Sequence, residues 1–272
     1  MRFKATEEIE KFILEQYVVH RKSMREIQRL VGANSPNTIK NILNKHQVEG
    51  RSLSESRKKY SCSLDFFKEI DSEDKAYWLG FIMADGCVTK KTYKNSSMLK
   101  ITLKVNDIKH LEKFKNAING TYPIRKYEQQ TNYGLGKYCE IKIQDDIFCS
   151  HLNHKGVVPN KSLILKYPNI SNEYSKDFIR GYFDGDGSIT LTTTKDRNSF
   201  GLNIIGTKDI LLGIIKNLNL SDKHIYEINS YYLISIGGNK QVYTILNYLY
   251  EDANIFLDRK YNRYLLLKQQ QL

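Results

Sequence analysis

Trp78-Leu79-Gly80-Phe81-Ile82-Met83-Ala84-Asp85-Gly86 returns in altered form as Ile179-Arg180-Gly181-Tyr182-Phe183-Asp184-Gly185-Asp186-Gly187, with the closing Asp-Gly pairs 101 residues apart. The residues after each copy are also alike. Cys87-Val88-Thr89, a strand-like Lys100 to Val105 and Asp107 come after the first. Ser188-Ile189-Thr190, a strand-like Gly201 to Ile205 and Asp209 come after the second. Self-similarity at a fixed period marks a duplicated structural unit. An acid at the most distinctive point of each copy predicts two equivalent carboxylates serving one symmetric substrate.

Working outward, Asp74 reads as the N-cap of a helix ending at Asp85, with Gly86 as its left-handed terminator. Lys100 to Val105 alternates as a half-buried strand does. Asp107 reads as the cap of a helix over 108–118 that stops at Asn119-Gly120. Glu140 to Gln144 alternates again, and Asp145 or Asp146 opens a further helix. The second half predicts helices near 174–184, 210–218 and 240–250, and strands near 188–194, 201–205, 224–228 and 231–236. The expected fold class is α+β: two pseudo-symmetric αββαββα repeats with one-sided sheets, plus a small all-α N-terminal segment. Expected domains are 1–50, a basic linker over 51–73 (Arg51, Ser52, Ser54, Ser56, Arg57, Lys58, Lys59), and repeats over 74–168 and 169–272.

The 272 residues are 40% hydrophobic and 11% aromatic, enough for packed cores and incompatible with wholesale disorder. A formal charge of +12, with 19 tyrosines among the lysines, points to an anionic partner and suits nucleic acid better than a membrane. Four cysteines without CxxC spacing predict a reduced intracellular protein rather than a zinc or disulfide scaffold. The charged start predicts no secretory signal, and no apolar run of spanning length exists.

In the N-terminal block, Ser23 to Gly32 reads as a short amphipathic helix with Met24, Ile27, Leu30 and Val31 on one face. Gly32-Ala33-Asn34 supplies a turn, and Ser35 caps a second helix with Pro36 at its first position. Two short helices joined this way predict a helix-turn-helix. Asn37, Thr38, Lys40, Asn41, Asn44 and Lys45 would then face base edges and phosphates. Residues 1–60 carry thirteen Lys/Arg against seven Asp/Glu, about half the excess positive charge.

Gly80 and Ala84, like Gly181 and Gly185, lie four residues apart, so two helices carrying them can pack closely. Asp85 and Asp186 would then emerge together at helix C-termini. That place is electrostatically poor for carboxylates, since the helix dipole is negative there and the acids repel. Divalent cations relieve the conflict, and a sparse set of hard oxygen donors suits Mg²⁺.

These motifs resemble the paired signature of single-chain LAGLIDADG homing endonucleases over about residues 60 to 265. Flanking text such as Ala76-Tyr77-Trp78-Leu79-Gly80-Phe81 and Phe256-Leu257-Asp258-Arg259-Lys260-Tyr261 is part of the likeness. The resemblance implies two four-stranded sheets forming a saddle along the DNA major groove. It implies site-specific, Mg²⁺-dependent cleavage of both strands, leaving 3′ overhangs, with Mn²⁺ or Ca²⁺ able to substitute in the site. It places the metal on Asp85 and Asp186 and on the backbone carbonyls of Ala84 and Gly185, and it makes Lys161 and Lys260 the basic residues of the centre. Met83 stands where the pattern often has an acid and Asp184 has one, read here as a local helix-end contact.

If the sheets grip the groove, their polar faces are the readers. Lys90, Thr92, Lys94, Lys100, Thr102, Lys104, Arg125, Lys142 and Gln144 would serve one half-site. Ser188, Thr190, Thr192, Thr194, Asn203 and Ser235 would serve the other, with far less charge. A monomer with two diverged halves would recognise an asymmetric double-stranded target. The alternatives are an intron maturase binding RNA and a non-catalytic DNA-binding regulator; retained acids argue against the regulator, and nothing in the sequence separates the maturase.

Overall fold

The computed structural model describes residues 3–20, 22–51, 59–93, 96–132, 134–193, 195, 198–220 and 223–270. They form two compact units, Met1–Lys59 and Tyr60–Leu272.

The first unit packs helices α1 (Glu7–Val18), α2 (Met24–Val31) and α3 (Pro36–Lys45) around Ile13, Tyr17, Ile27, Ile39, Ile42 and Leu43. Ser23 and Glu26 close a reciprocal capping box that starts α2: the Glu26 N–H donates to the serine hydroxyl at 3.2 Å, and the Ser23 N–H to the carboxylate at 2.7 Å. Gly32 then ends α2 in the left-handed conformation, φ 67°. Two expectations need correcting. Leu30 is 54% exposed, because an eight-residue helix buries only the narrow stripe centred on Ile27. Ser35 holds the cap position of α3 without a side-chain bond.

The second unit is α+β, with two antiparallel four-stranded sheets. The first half runs α4 (Glu73–Asp85), β1 (Gly86–Thr89), β2 (Met98–Lys104), α5 (Ile108–Ala117), β3 (Ile124–Thr131), β4 (Gly134–Gln144) and α6 (Asp146–His154). The second runs α7 (Ser175–Asp186), β5 (Gly187–Thr193), β6 (Asn198–Gly206), α8 (Lys208–Asn217), β7 (Ile225–Ile228), β8 (Tyr231–Gly237) and α9 (Asn239–Tyr250), followed by α10 (Asp258–Gln269). Strand order is β1-β2-β4-β3 in one sheet and β5-β6-β8-β7 in the other. Each sheet buries one face: Leu99, Ile101, Leu103, Ile141 and Ile143 in the first, Leu202, Ile204, Ile234 and Ile236 in the second.

Several boundaries differ from the sequence reading. Residues 60–73 belong to the second unit rather than to a linker: Phe67 is fully buried, and the Ser63 N–H donates to the Ile118 carbonyl at 2.7 Å. Their Ser and Lys content hides the aromatics that anchor them. Ser72, not Asp74, caps α4. Gly86 is extended rather than left-handed; a Cβ there would stand 2.7 Å from the Ile82 carbonyl oxygen, so glycine serves by size as helix turns into strand. Asp107 makes no cap and instead accepts a bond from Arg259 Nε at 3.1 Å, while Thr207 caps α8 ahead of Asp209.

Candidate active site

The two motif helices, α4 and α7, cross in contact at their glycines. A Cβ on Gly80 would lie 2.8 Å from Tyr182 N, and one on Gly181 would lie 2.8 Å from the Tyr77 carbonyl carbon. Further along, a Cβ on Gly185 would collide with that of Ala84 and come within 3.5 Å of Asp85 Oδ2. Backbones this close leave room for no side chain, so both helices deliver their last residues, Asp85 and Asp186, to one place.

The electrostatics match the crowding. Asp85 has an exposed surface, yet protein rims it closely enough that dehydration, reinforced by the Asp186 charge, lifts its carboxyl to about 6. Burial raises Asp186 as well, against the lowering pull of Lys161, Lys260 and the Tyr182 hydroxyl. Lys161 and Lys260, alternatives to plain solvated lysines, are both buried. Asn160, left-handed at φ 59°, turns Lys161 inward, where its ammonium donates to the Ala84 carbonyl at 3.1 Å. Lys260 rises from the first turn of α10 onto the carbonyls of Phe183, Asp184 (2.8 Å) and Gly187 (2.5 Å). Burial lowers both ammonium groups, Lys260 to about 8.

Asp184 is not a solvent or helix-end contact, against the expectation from the motif. Its carboxylate is fully buried and accepts Tyr77 Oη at 2.6 Å, Tyr250 Oη at 2.5 Å and the Leu257 N–H at 2.8 Å. It thereby ties α4, α9 and the approach to α10 to the motif, and sets where Lys260 begins. Beside it, fully buried Arg180 reaches Glu73 at 2.6 Å, Asp177 at 2.9 Å and the carbonyls of Ile255 and Leu249. Sequence reasoning passed over Arg180, although an arginine inside so apolar a motif was a usable signal.

On the open faces of the sheets, the register aligns Cys87, Lys100 and Lys142, then Thr102, Glu140 and Arg125, then Lys104, Tyr138 and Tyr127. Lys142 is held by Glu140 at 2.5 Å, and Lys104 lies over the Tyr138 ring with a 3.0 Å bond to its hydroxyl. Gln144 is exposed at the end of β4. Lys90 and Thr92 lie past the end of β1, not on its face, because the strand stops at Thr89. Lys94 and Thr194 fall outside the described residues. Ser188, Thr190, Thr192, Asn203 and Ser235 share the open face of the second sheet. In the first unit, Asn37, Lys40, Asn41 and Asn44 are exposed on α3 and Thr38 is half-buried, whereas Lys45 is engaged by Glu10 at 2.8 Å. Glu140, Tyr127 and Tyr138 were missed as site residues: Glu140 lies in a stretch read as alternating, but the rows that set it beside Thr102 and Arg125, and Tyr138 beside Lys104 and Tyr127, exist only once the strands are paired.

Among the described residues, no three His, Cys, Asp or Glu side chains gather as a metal-binding group. What Asp85 and Asp186 offer is two mutually repelling carboxylates beside helix-end carbonyls, a hard-oxygen set short of ligands, which suits an ion that keeps its own waters. No helix among the described residues is long and apolar enough to cross a membrane.

No protein-family model matches the chain. The DNA-directed RNA polymerase subunit Rpo1C of Methanocaldococcus jannaschii is 27% identical over 117 residues, 43% of this chain but only 13% of that protein's length. Among solved structures, the meganuclease I-SmaMI bound to uncleaveable DNA matches with a TM-score of 0.51 at 12% identity, covering 71% of this chain and 89% of the other. The LAGLIDADG homing endonuclease I-GzeII in complex with its DNA target matches with a TM-score of 0.50 at 15% identity, covering 71% and 88%. At these identities the likeness is one of fold.

Proposed function

With a LAGLIDADG-type fold as the premise, we propose that the chain is a monomeric, site-specific double-strand DNA endonuclease. The observation that carries this reading is the meeting of Asp85 and Asp186, one from each repeat, beside two buried lysines. Asp85 and Asp186 would hold Mg²⁺, with Mn²⁺ or Ca²⁺ able to replace it, and the carbonyls of Ala84 and Gly185 stand next to them in the chain. The bound metal supplies charge neutralisation and a more acidic water. Lys161 and Lys260, positioned by backbone carbonyls rather than by carboxylates, keep positive charge beside the phosphates in a site that would otherwise repel them. In this reading each repeat serves one strand, and the resemblance to the homing endonucleases adds that the cuts leave 3′ overhangs. The open sheet faces read the major groove, and α3 of the first unit adds DNA contacts of its own. The protein works on intracellular DNA.

The test is incubation of the full chain and Mg²⁺ with DNA spanning the junction at which its own gene is inserted. Cleavage of both strands, reduced in Asp85→Asn and Asp186→Asn by about a hundredfold or more, is the expected result. Tight binding without cutting in Mg²⁺ or Mn²⁺ overturns the nuclease in favour of a binding protein. Preferential binding of intron RNA favours the maturase.

A further inference from the structure

The strand registers place both sheets on one coordinate system. Gly86, Ile101, Ile141 and Ile124 form a paired row in the first sheet; Gly187, Ile204, Ile234 and Ile225 form the same row in the second. One step along each strand to one side are Cys87, Lys100 and Lys142, matched by Ser188, Asn203 and Ser235. One step to the other side are Thr102, Glu140 and Arg125, matched by Ile205, Leu233 and Tyr226. An ionic row in one repeat is therefore an apolar row in the other.

That row lies on the open face. Ile205 is 40% exposed and Tyr226 49% exposed, with Leu233 half-buried between them, while Ile204 and Ile234 on the opposite face already fill the core. The sheet gains no stability from leaving them in water, so an apolar partner accounts for them. The chain is strongly basic and the neighbouring row is Ser188, Asn203 and Ser235, which fits a polyanion better than an apolar protein surface. Of the groups exposed in a major groove, the thymine C5-methyl is the apolar one. We propose that Ile205, Leu233 and Tyr226 read thymine methyl groups, so that one half of the target is specified by thymine where the other is specified by polar contacts from the exposed Arg125, the member of the matching row that reaches solvent beside buried Glu140. This rests on the DNA-binding reading above.

The test uses the full chain and a randomised duplex library, selected in Ca²⁺, with the selected duplex resynthesised carrying deoxyuridine in place of thymine one half at a time. Uridine in one half weakens binding about fourfold per methyl read, and uridine in the other half has little effect. The penalty disappears in the Ile205→Ser/Leu233→Ser variant. Tyr226→Ser, on an edge strand, serves the same purpose should the double variant fail to fold. Three results overturn the proposal: no uridine penalty in either half, a penalty that persists in the variants, or a wild-type dimer in sedimentation that these substitutions dissolve. A selected duplex that is cut in Mg²⁺ yet indifferent to uridine sinks only this inference. Failure to enrich any duplex removes the endonuclease reading with it.

Discussion

Met83 and Asp184 hold the same place in their two repeats, and both are buried. A carboxylate is accommodated there because the Lys260 ammonium, two tyrosine hydroxyls and a backbone N–H converge on it, which the motif text could not disclose. Two residues beyond Met83, Asp85 is the opposite case, an acid held where ionisation is costly. Its folded-state carboxyl lies near 6, above the ordinary value of 3.8, so the metal-free fold favours the protonated form. The resulting loss of stability is absent below about pH 4 and grows as pH rises through about 6. Asp85→Asn is therefore expected to raise the melting temperature at neutral pH without metal and to leave it unchanged near pH 4. The gain should be small, since the side chain is solvent-exposed. Scanning fluorimetry across that range checks it, and a drop at neutral pH would refute the repulsion. Mg²⁺ should stabilise the native protein at neutral pH but not the Asn variant.

At the scale of elements, the contact between α4 and α7 decides whether two repeats make one site. Gly181→Ala would push a methyl into the Tyr77 carbonyl, a backbone atom that cannot rotate away. The expected cost is about 3 kcal/mol in chemical denaturation, enough to separate the aspartates and reduce cleavage with it. Gly237→Ala, where no atom lies within 4 Å and φ is not positive, is the control and should be nearly neutral. Equal effects from the two would mean that close approach of the helices is not what the motif glycines provide. The alternation of β2 and the end of β4 was legible in the sequence because polar and apolar residues alternate from Lys100 to Lys104 and from Glu140 to Gln144. The ends of elements were not, since Ser72 and Thr207 compete with nearby aspartates for the same cap role.

Across the whole molecule, charge is distributed unevenly. The first sheet presents Lys100, Lys104, Arg125 and Lys142, and the second presents hydroxyls, an amide and an apolar row. Replacing Lys100, Arg125 and Lys142 by Gln should flatten the dependence of DNA affinity on salt by about 0.9 in log–log slope for each phosphate no longer neutralised. Replacing Ser188, Asn203 and Ser235 by Ala should leave that slope intact and reduce only sequence discrimination. Titrations over a range of KCl concentrations separate the two outcomes; a slope unaffected by the first set would place phosphate binding elsewhere.

The sequence by itself determined the duplication, the α+β repeat pattern, the two helix-end acids and the small residues between them. These are local properties, carried by spacing along the chain. Only the tertiary structure decided that Lys161 and Lys260 are buried, that Asp184 and Arg180 knit the halves together, and that Ile205, Leu233 and Tyr226 stand in one row on the open face of their sheet. Burial and strand register join residues distant along the chain, and a linear pattern holds no record of which neighbours remove the water.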